Sequence, residues 1–261
     1  MSKFEFKGTA LVTGASSGLG EEFARQLAAR GMDLVLVARS ADKLDNLARE
    51  LGEKHSVAVM TIAEDLSREN AAREIKRRTD EAGIHVTLLI NNAGVGTYGT
   101  FDELDKEAEH KMVMLNCVAP VDMSHEFLGP MVAKGKGGII FLGSVAAYQP
   151  TPFFATYGAS KAFNLLLGEA LWAELKDKGV SVLSLSPGYT KTHFQEAAEV
   201  DLNPPGGYKT PDEVVSLALR KLGKKPSVIP GKRNRFMAFS IRFTPRAMAA
   251  KIAGGISKPK R

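Results

Sequence analysis

Six short apolar runs, unbroken rather than alternating with polar residues, do most to limit what this chain can become. They stand at 9–13, 34–38, 57–62, 86–90, 138–142 and 180–186. A strand with one wet face alternates, whereas a run that is apolar throughout suits a strand covered on both faces. Stretches with helical patterning separate the runs, at 18–30, 41–51, 68–82, 106–132 and 155–178. Strand–helix–strand repetition implies a parallel sheet, and right-handed crossovers place helices on both of its sides. The 261 residues are therefore read as α/β, one Rossmann-type doubly wound domain. Residues 1–225 are expected to carry the chemistry. They include a loop or lid at 193–210, marked by Pro204, Pro205, Gly206 and Gly207, and 226–261 reads as a basic extension of the same domain.

Composition narrows the setting. Hydrophobic residues make up 44%, enough for a sizeable core. Cys117 is the only cysteine, so a disulfide framework or cysteine metal cluster is not expected, and a reducing, cytoplasmic location is. The five histidines show no ligand spacing, and no metal is expected. The opening MSKFEFKG lacks the apolar run of a signal peptide. Nothing approaches the ~20 apolar residues of a spanning helix. Net charge is +6, but 13 of the 35 Lys and Arg lie from Val214 onward, where there is no Asp or Glu. The basic character is local and does not imply a nucleic-acid partner.

The first apolar run ends in Thr13-Gly14-Ala15-Ser16-Ser17-Gly18-Leu19-Gly20 and leads into a helical stretch. Glycines permit a tight turn and a close approach of backbone to ligand. The helix start offers unpaired amides and partial positive charge to a pyrophosphate. The spacing G-x-x-x-G-x-G departs from the usual G-x-G-x-x-G fingerprint, and a turn without a ligand is the plainer alternative. An NAD site places a carboxylate at the end of the second strand. Here that strand ends Val37-Ala38-Arg39-Ser40. The Arg39 guanidinium can pair with a 2′-phosphate, and Ser40 can add a hydroxyl, so NADP(H) is expected over NAD(H). A solvated arginine at a strand end is the alternative.

Tyr157-Gly158-Ala159-Ser160-Lys161 falls in a helical stretch, where positions i and i+4 share a face. A phenol of pKa ~10 is a poor base at neutral pH. A neighbouring ammonium favours the phenolate. Tyr157 can then exchange a proton with a carbonyl/alcohol pair while hydride moves, and Lys161 can also hold a nicotinamide ribose. Ser144, just past the 138–142 strand, can donate to the carbonyl oxygen at the edge where such sheets bind ligands. Gly158-x-Ser160 is faintly like a nucleophile elbow, but that motif needs a strand directly before it. The surroundings here are helical, so a Ser-His-Asp hydrolase is set aside.

Across about residues 5–225 the chain resembles the short-chain dehydrogenase/reductase family. The resemblance rests on the 13–20 glycine motif, Asn91-Asn92-Ala93-Gly94, Asn116, Ser144, Tyr157-Gly158-Ala159-Ser160-Lys161, and Pro187-Gly188 with Thr190 and Thr192. It implies a seven-stranded parallel sheet and an NAD(P)-dependent oxidoreductase, commonly a homodimer or homotetramer. It implies Tyr157 as acid/base, Ser144 as the carbonyl-polarising hydroxyl, Lys161 as the ribose-binding lysine that lowers the tyrosine pKa, and Asn116 as part of a proton relay through water. Gly14, Ser16, Ser17, Gly18, Leu19 and Gly20 would cradle the pyrophosphate. Asp65 with Leu66 would receive the adenine, and Asn92, Ala93 and Gly94 its ribose. Pro187, Gly188, Thr190 and Thr192 would flank the nicotinamide. Asn116 and Asp65 also have plain readings, as a bond to a neighbouring carbonyl and as a helix cap.

Phe153, Phe154, Tyr189, Phe194 and Tyr208 offer aromatic surface near the expected pocket, which points to a lipophilic carbonyl or secondary alcohol such as an acyl chain, steroid, retinoid or xenobiotic ketone. His193 is read as a surface residue. Beyond residue 224, Phe236, Met237, Phe239, Ile241 and Phe243 mingle with Arg233, Arg235, Arg242 and Arg246, and Pro245 interrupts any single helix. A weak peripheral membrane contact, capture of an acidic partner, and plain packing over the pocket or a subunit interface all remain open for this segment. A protein that binds NADP(H) without turnover is the alternative for the whole chain. The intact Ser144, Tyr157 and Lys161 argue against it, since sensing needs no acid/base.

Overall fold

The computed structural model describes residues 4–192 and 207–258. His193, Phe194, Pro204, Pro205 and Gly206, part of the expected lid, lie outside the described residues. The strands are β1 (Thr9–Thr13), β2 (Asp33–Ala38), β3 (Val59–Ala63), β4 (Val86–Asn91), β5 (Gly137–Leu142), β6 (Val180–Leu185) and β7 (Ser227–Val228). They form one seven-stranded sheet in the order β3-β2-β1-β4-β5-β6-β7, and every neighbouring pair is parallel. The doubly wound α/β expectation holds. The helices are α1 (Gly18–Ala28), α2 (Ala41–His55), α3 (Ala71–Glu81), α4 (Lys106–Val113), α5 (Ala119–Ala133), α6 (Ala155–Leu175), α7 (Pro211–Lys221), α8 (Lys232–Ser240) and α9 (Arg246–Ser257).

Burial on both faces explains the unbroken apolar runs. Successive residues of a strand point to opposite faces. Val12, Leu34, Leu36 and Ile140 join one core with Phe23 of α1, Leu44 of α2 and Val215 of α7. Leu11, Val35, Val37 and Ile139 join a second core with Ile75 of α3 and Phe127 of α5. Each such large side chain contributes roughly 1.5–3 kcal/mol when fully buried. The order of strands reverses between β1 and β4, and ligands of open α/β sheets bind in the crevice beyond such a point. The glycine turn after β1 opens onto that crevice.

Several boundaries differ from the sequence reading. β3 begins at Val59 rather than 57, because Ser56 closes α2 in the left-handed region and the Ala58 amide donates to Asp33 Oδ1 at 2.8 Å. α3 begins at Ala71 rather than 68, because Asn70 before it has φ of +63°. The stretch 106–132 is not one helix: a π-helical turn, Met114–Val118, separates α4 from α5. Pro120 has no N–H to return to the Asn116 carbonyl four residues earlier. α7 went unread although its start is marked. Thr210 and Glu213 form a reciprocal capping box with Pro211 at the first helical position. The segment 226–261 opens with β7, the sheet's seventh strand, and Pro245 separates α8 from α9.

Candidate active site

A cleft of about 380 Å³ runs along the carboxyl ends of the strands, within the size range of small-molecule sites. At one end it is lined by Gly14, Ser16, Ser17, Gly18 and Leu19. Gly18 has φ of +60°, a conformation that favours glycine. Gly20 does not line the cleft. A Cβ there would fall 2.1 Å from the Gly14 carbonyl oxygen and 2.5 Å from Asn92 Nδ2, so glycine lets α1 start hard against the turn. Ser17 is the N-cap of α1 yet makes no side-chain capping bond. The α1 amides and this hydroxyl therefore face the cleft with anion-binding chemistry.

Arg39, Ser40, Asp65 and Leu66 line the flank beyond β2 and β3. Arg39 and Ser40 are exposed, and Ser40, the N-cap of α2, likewise makes no capping bond. Asp65 does not cap α3. Its Oδ1 accepts from Ser67 N at 3.0 Å and Ser67 Oγ at 2.8 Å. Burial works against its charge, but the Ser67 bonds, with Arg39 and Arg68 nearby, hold its carboxyl below the ordinary value.

Asn92, Ala93 and Gly94, after β4, line the middle of the cleft. The Asn92 side chain ties β4 to the glycine turn, donating to Thr13 O at 2.8 Å and Gly14 O at 3.2 Å. Thr13 Oγ1 accepts from the amides of Asn92 and Ala93 at 2.9 and 3.0 Å. Sequence reasoning missed Glu64, Val95, Gly96 and Leu115, which also line the cleft. Glu64, Val95 and Gly96 adjoin motif residues, and adjacency was their only signal.

At the far end stand Ser144, Tyr157 and Lys161, with Pro187, Gly188, Thr190 and Thr192 alongside. A Cβ on Gly18 would lie 3.2 Å from the Thr192 side chain, so the strip after β6 closes across to the glycine turn. Ser144 and Tyr157 share a side-chain hydrogen bond, and Ser144 Oγ also accepts from Ala146 N at 3.1 Å. Lys161 Nζ donates to Leu142 O at 3.1 Å and stands 5.7 Å from the Tyr157 ring centroid. Burial pushes the Lys161 ammonium down to about 8. Burial also pushes the Tyr157 phenol up to about 12, opposed by the Ser144 bond. The lowering by Lys161 expected from sequence does not figure among the causes of this shift; withdrawal from water is the largest of them.

Asn116 does not line the cleft. It is fully buried, where its Oδ1 accepts from Val95 N at 3.0 Å and its Nδ2 donates to Val95 O and to Ser160 Oγ, both at 2.9 Å. A Cβ on Gly94 would lie 3.1 Å from both Asn116 Oδ1 and Lys161 Nζ, so the two side chains converge behind that glycine. Aromatic rings continue outward from Tyr157. Phe154 lies 6.2 Å from it, centroid to centroid, and Tyr98, unread in the sequence, 4.7 Å from Phe154. Tyr189 and Tyr208 pair at 6.1 Å. Phe153 holds φ of +67°, a left-handed turn at a non-glycine residue beside this wall.

The chain matches the short chain dehydrogenase family over residues 8–203. It is 32% identical over 257 residues to a very-long-chain 3-oxoacyl-CoA reductase of Macaca fascicularis, covering 97% of this chain and 80% of the relative. It is 37% identical over 232 residues to one from Neurospora crassa, covering 87% and 68%. Among solved structures, a 7beta-hydroxysteroid dehydrogenase superposes with a TM-score of 0.86 at 28% identity, covering 97% of this chain and 98% of that one. A short-chain dehydrogenase from Sphingobium yanoikuyae in complex with NADPH gives 0.81 at 32% identity, covering 97% and 96%. The protein with this cleft belongs to the short chain dehydrogenase family and is an NAD(P)-dependent oxidoreductase.

Proposed function

We propose that the chain reduces a bulky, lipophilic carbonyl, or oxidises the matching secondary alcohol, with NADP(H) as the preferred cofactor. The observation that carries this reading is the hydrogen-bonded Ser144–Tyr157 pair beside buried Lys161, at one end of a cleft whose other flank presents Arg39. The cleft suits a dinucleotide on its own features: uncapped Ser17 at the α1 start for the pyrophosphate, and Arg39 with the free-standing cap Ser40 for a 2′-phosphate. Asp65 and Leu66 would meet the adenine, and Lys161 with Thr190 and Thr192 the nicotinamide end. When bound, the nicotinamide supplies or accepts hydride.

The chain's own residues manage the proton and the oxygen. Tyr157, held protonated by burial, gives its proton to the carbonyl oxygen during reduction and takes one back during oxidation. The Ser144 hydroxyl donates to the same oxygen as negative charge gathers on it. The Asn116 side chain ties Val95 of the cleft lining to Ser160 of α6, and its convergence with Lys161 behind Gly94 supports a part in a proton relay. The aromatic wall of Tyr98, Phe154 and Tyr189 supports a lipophilic substrate, as do the names of the relatives, which act on very-long-chain 3-oxoacyl-CoA or hydroxysteroids. Exposed Phe163 and Leu166 on α6 support self-association as a dimer or tetramer. The test is NADPH and NADH oxidation against a panel spanning long-chain 3-oxoacyl thioesters, steroid ketones and small polar carbonyls. Turnover confined to the small polar members contradicts the proposed substrate class.

A further inference from the structure

Of the ten large apolar side chains left exposed among the described residues, six crowd into one short segment: Phe236, Phe239, Phe243, Met248, Ile252 and Ile256. On α9 they follow a four-residue step, Met248, Ile252 and Ile256, while Ala249 and Ala253 turn inward. Phe239 and Phe243 stack edge to face at 5.3 Å. Their exposures, 55% to 74%, mark side chains that stand out from the surface, and none of them lines the catalytic cleft. Interleaved with them over 232–258 are seven Lys and Arg and no Asp or Glu.

The segment sits at the mouth of the catalytic cleft. Tyr98 Oη donates to Ser257 O at 2.9 Å, fastening the end of α9 to the aromatic wall. A Cβ on Gly254 would touch Pro152 at 3.3 Å. α8 rests on the Val145–Tyr148 turn that follows Ser144. Asn234 lies so close to Gly188 that a Cβ there would fall 2.3 Å from its Nδ2.

We propose that residues 232–258 dock the enzyme on an anionic lipid surface, setting the mouth of the cleft against the bilayer. Protruding apolar side chains ringed by cations match an interface with anionic headgroups above hydrocarbon. A second copy fits poorly. A two-fold interface brings a patch against itself, and seven cations would face seven. No helix among the described residues is long and apolar enough to cross a membrane; the contact proposed is a peripheral one made by these side chains. Lipid docking does not depend on the catalytic reading; only its use, delivery of a lipophilic substrate from the bilayer, rests on it.

The test is co-sedimentation of the full chain with vesicles of phosphatidylcholine alone or with about a third phosphatidylserine, at low and high salt. Binding is expected to be at least about tenfold stronger to the anionic vesicles and to weaken with salt. The triple change Phe236→Ser, Phe243→Ser, Ile252→Ser should abolish it with the thermal midpoint and NADP(H) affinity retained. Arg235→Gln with Arg242→Gln should weaken it by roughly tenfold. Equal binding to both vesicle types, or binding kept by the serine triple, overturns the proposal. So does a triple whose sole defect is loss of self-association, which would assign the face to a second copy, or loss of binding to an acidic acyl-carrier domain alone.

Discussion

The side-chain amide of Asn164, on α6, donates to the main-chain carbonyl of Asn116 at 2.7 Å, bridging the catalytic helix to the π-helical turn. That carbonyl has no donor from Pro120, and Asn164, itself 3% exposed, fills the gap. The bond fixes where α4 gives way to α5, and so where Asn116 reaches to hold Val95. Asn164→Leu should leave a buried carbonyl unpaired and cost about 1–3 kcal/mol of stability. Urea denaturation checks this, and an unchanged midpoint contradicts it.

Lys161 is a buried cation, and its stability effect has a definite sign. Its folded pKa of about 8 lies below the ordinary 10.5. Between those values the unfolded chain binds more protons, so this group makes folding more favourable as pH rises from 8 to 10.5. Below pH 8 the folded protein carries the charge at a cost. Lys161→Met should therefore abolish turnover yet raise stability at pH 7 by roughly 1–3 kcal/mol, reduced by loss of the bond to Leu142 O. At pH 11 the gain should vanish. Thermal denaturation at both pH values decides it, and a variant less stable than wild type at pH 7 contradicts the assignment.

The same shift sets the pH profile. Tyr157, pushed up to about 12, stays protonated and ready to donate throughout the neutral range. Lys161 loses its proton near pH 8. NADPH-dependent reduction should hold level from pH 6 to nearly 8 and fall above it. A profile that falls only above pH 10 would remove Lys161 from the protonation balance.

Arg39 is exposed on the cleft flank, and β2 ends there without an acidic residue of its own. Arg39→Ala should raise the KM for NADPH by roughly tenfold or more, the weight of a charge-assisted contact. The KM for NADH should barely move. Steady-state kinetics with both cofactors checks it, and equal losses would mean that Arg39 serves adenine stacking or local structure instead.

The sheet was legible because strands covered on both faces leave unbroken apolar runs, and β1, β4 and β6 sit within a residue of those runs. The glycine turn and the Tyr157–Lys161 face were legible because a fixed backbone conformation and helical spacing leave a local mark. β7 was not, since two residues leave no period to read. The break at Met114–Val118 was written only in Pro120, whose effect depends on Asn164, distant in sequence. Tyr98 reaches the wall through a contact with Phe154 that no local pattern encodes. α7 is different: its start carries a local mark in the sequence, the Thr210–Glu213 capping box with Pro211.

The central claim is that Tyr157 hands over the proton in a hydride transfer. It is tested most directly with 4-deuterated NADPH, a reducible lipophilic ketone, and wild type beside Tyr157→Phe. Wild type should place deuterium on the carbinol carbon. The variant should bind NADPH with similar affinity and lose at least about a hundredfold in kcat. Deuterium in the product of Tyr157→Phe at a rate near that of wild type would contradict the account.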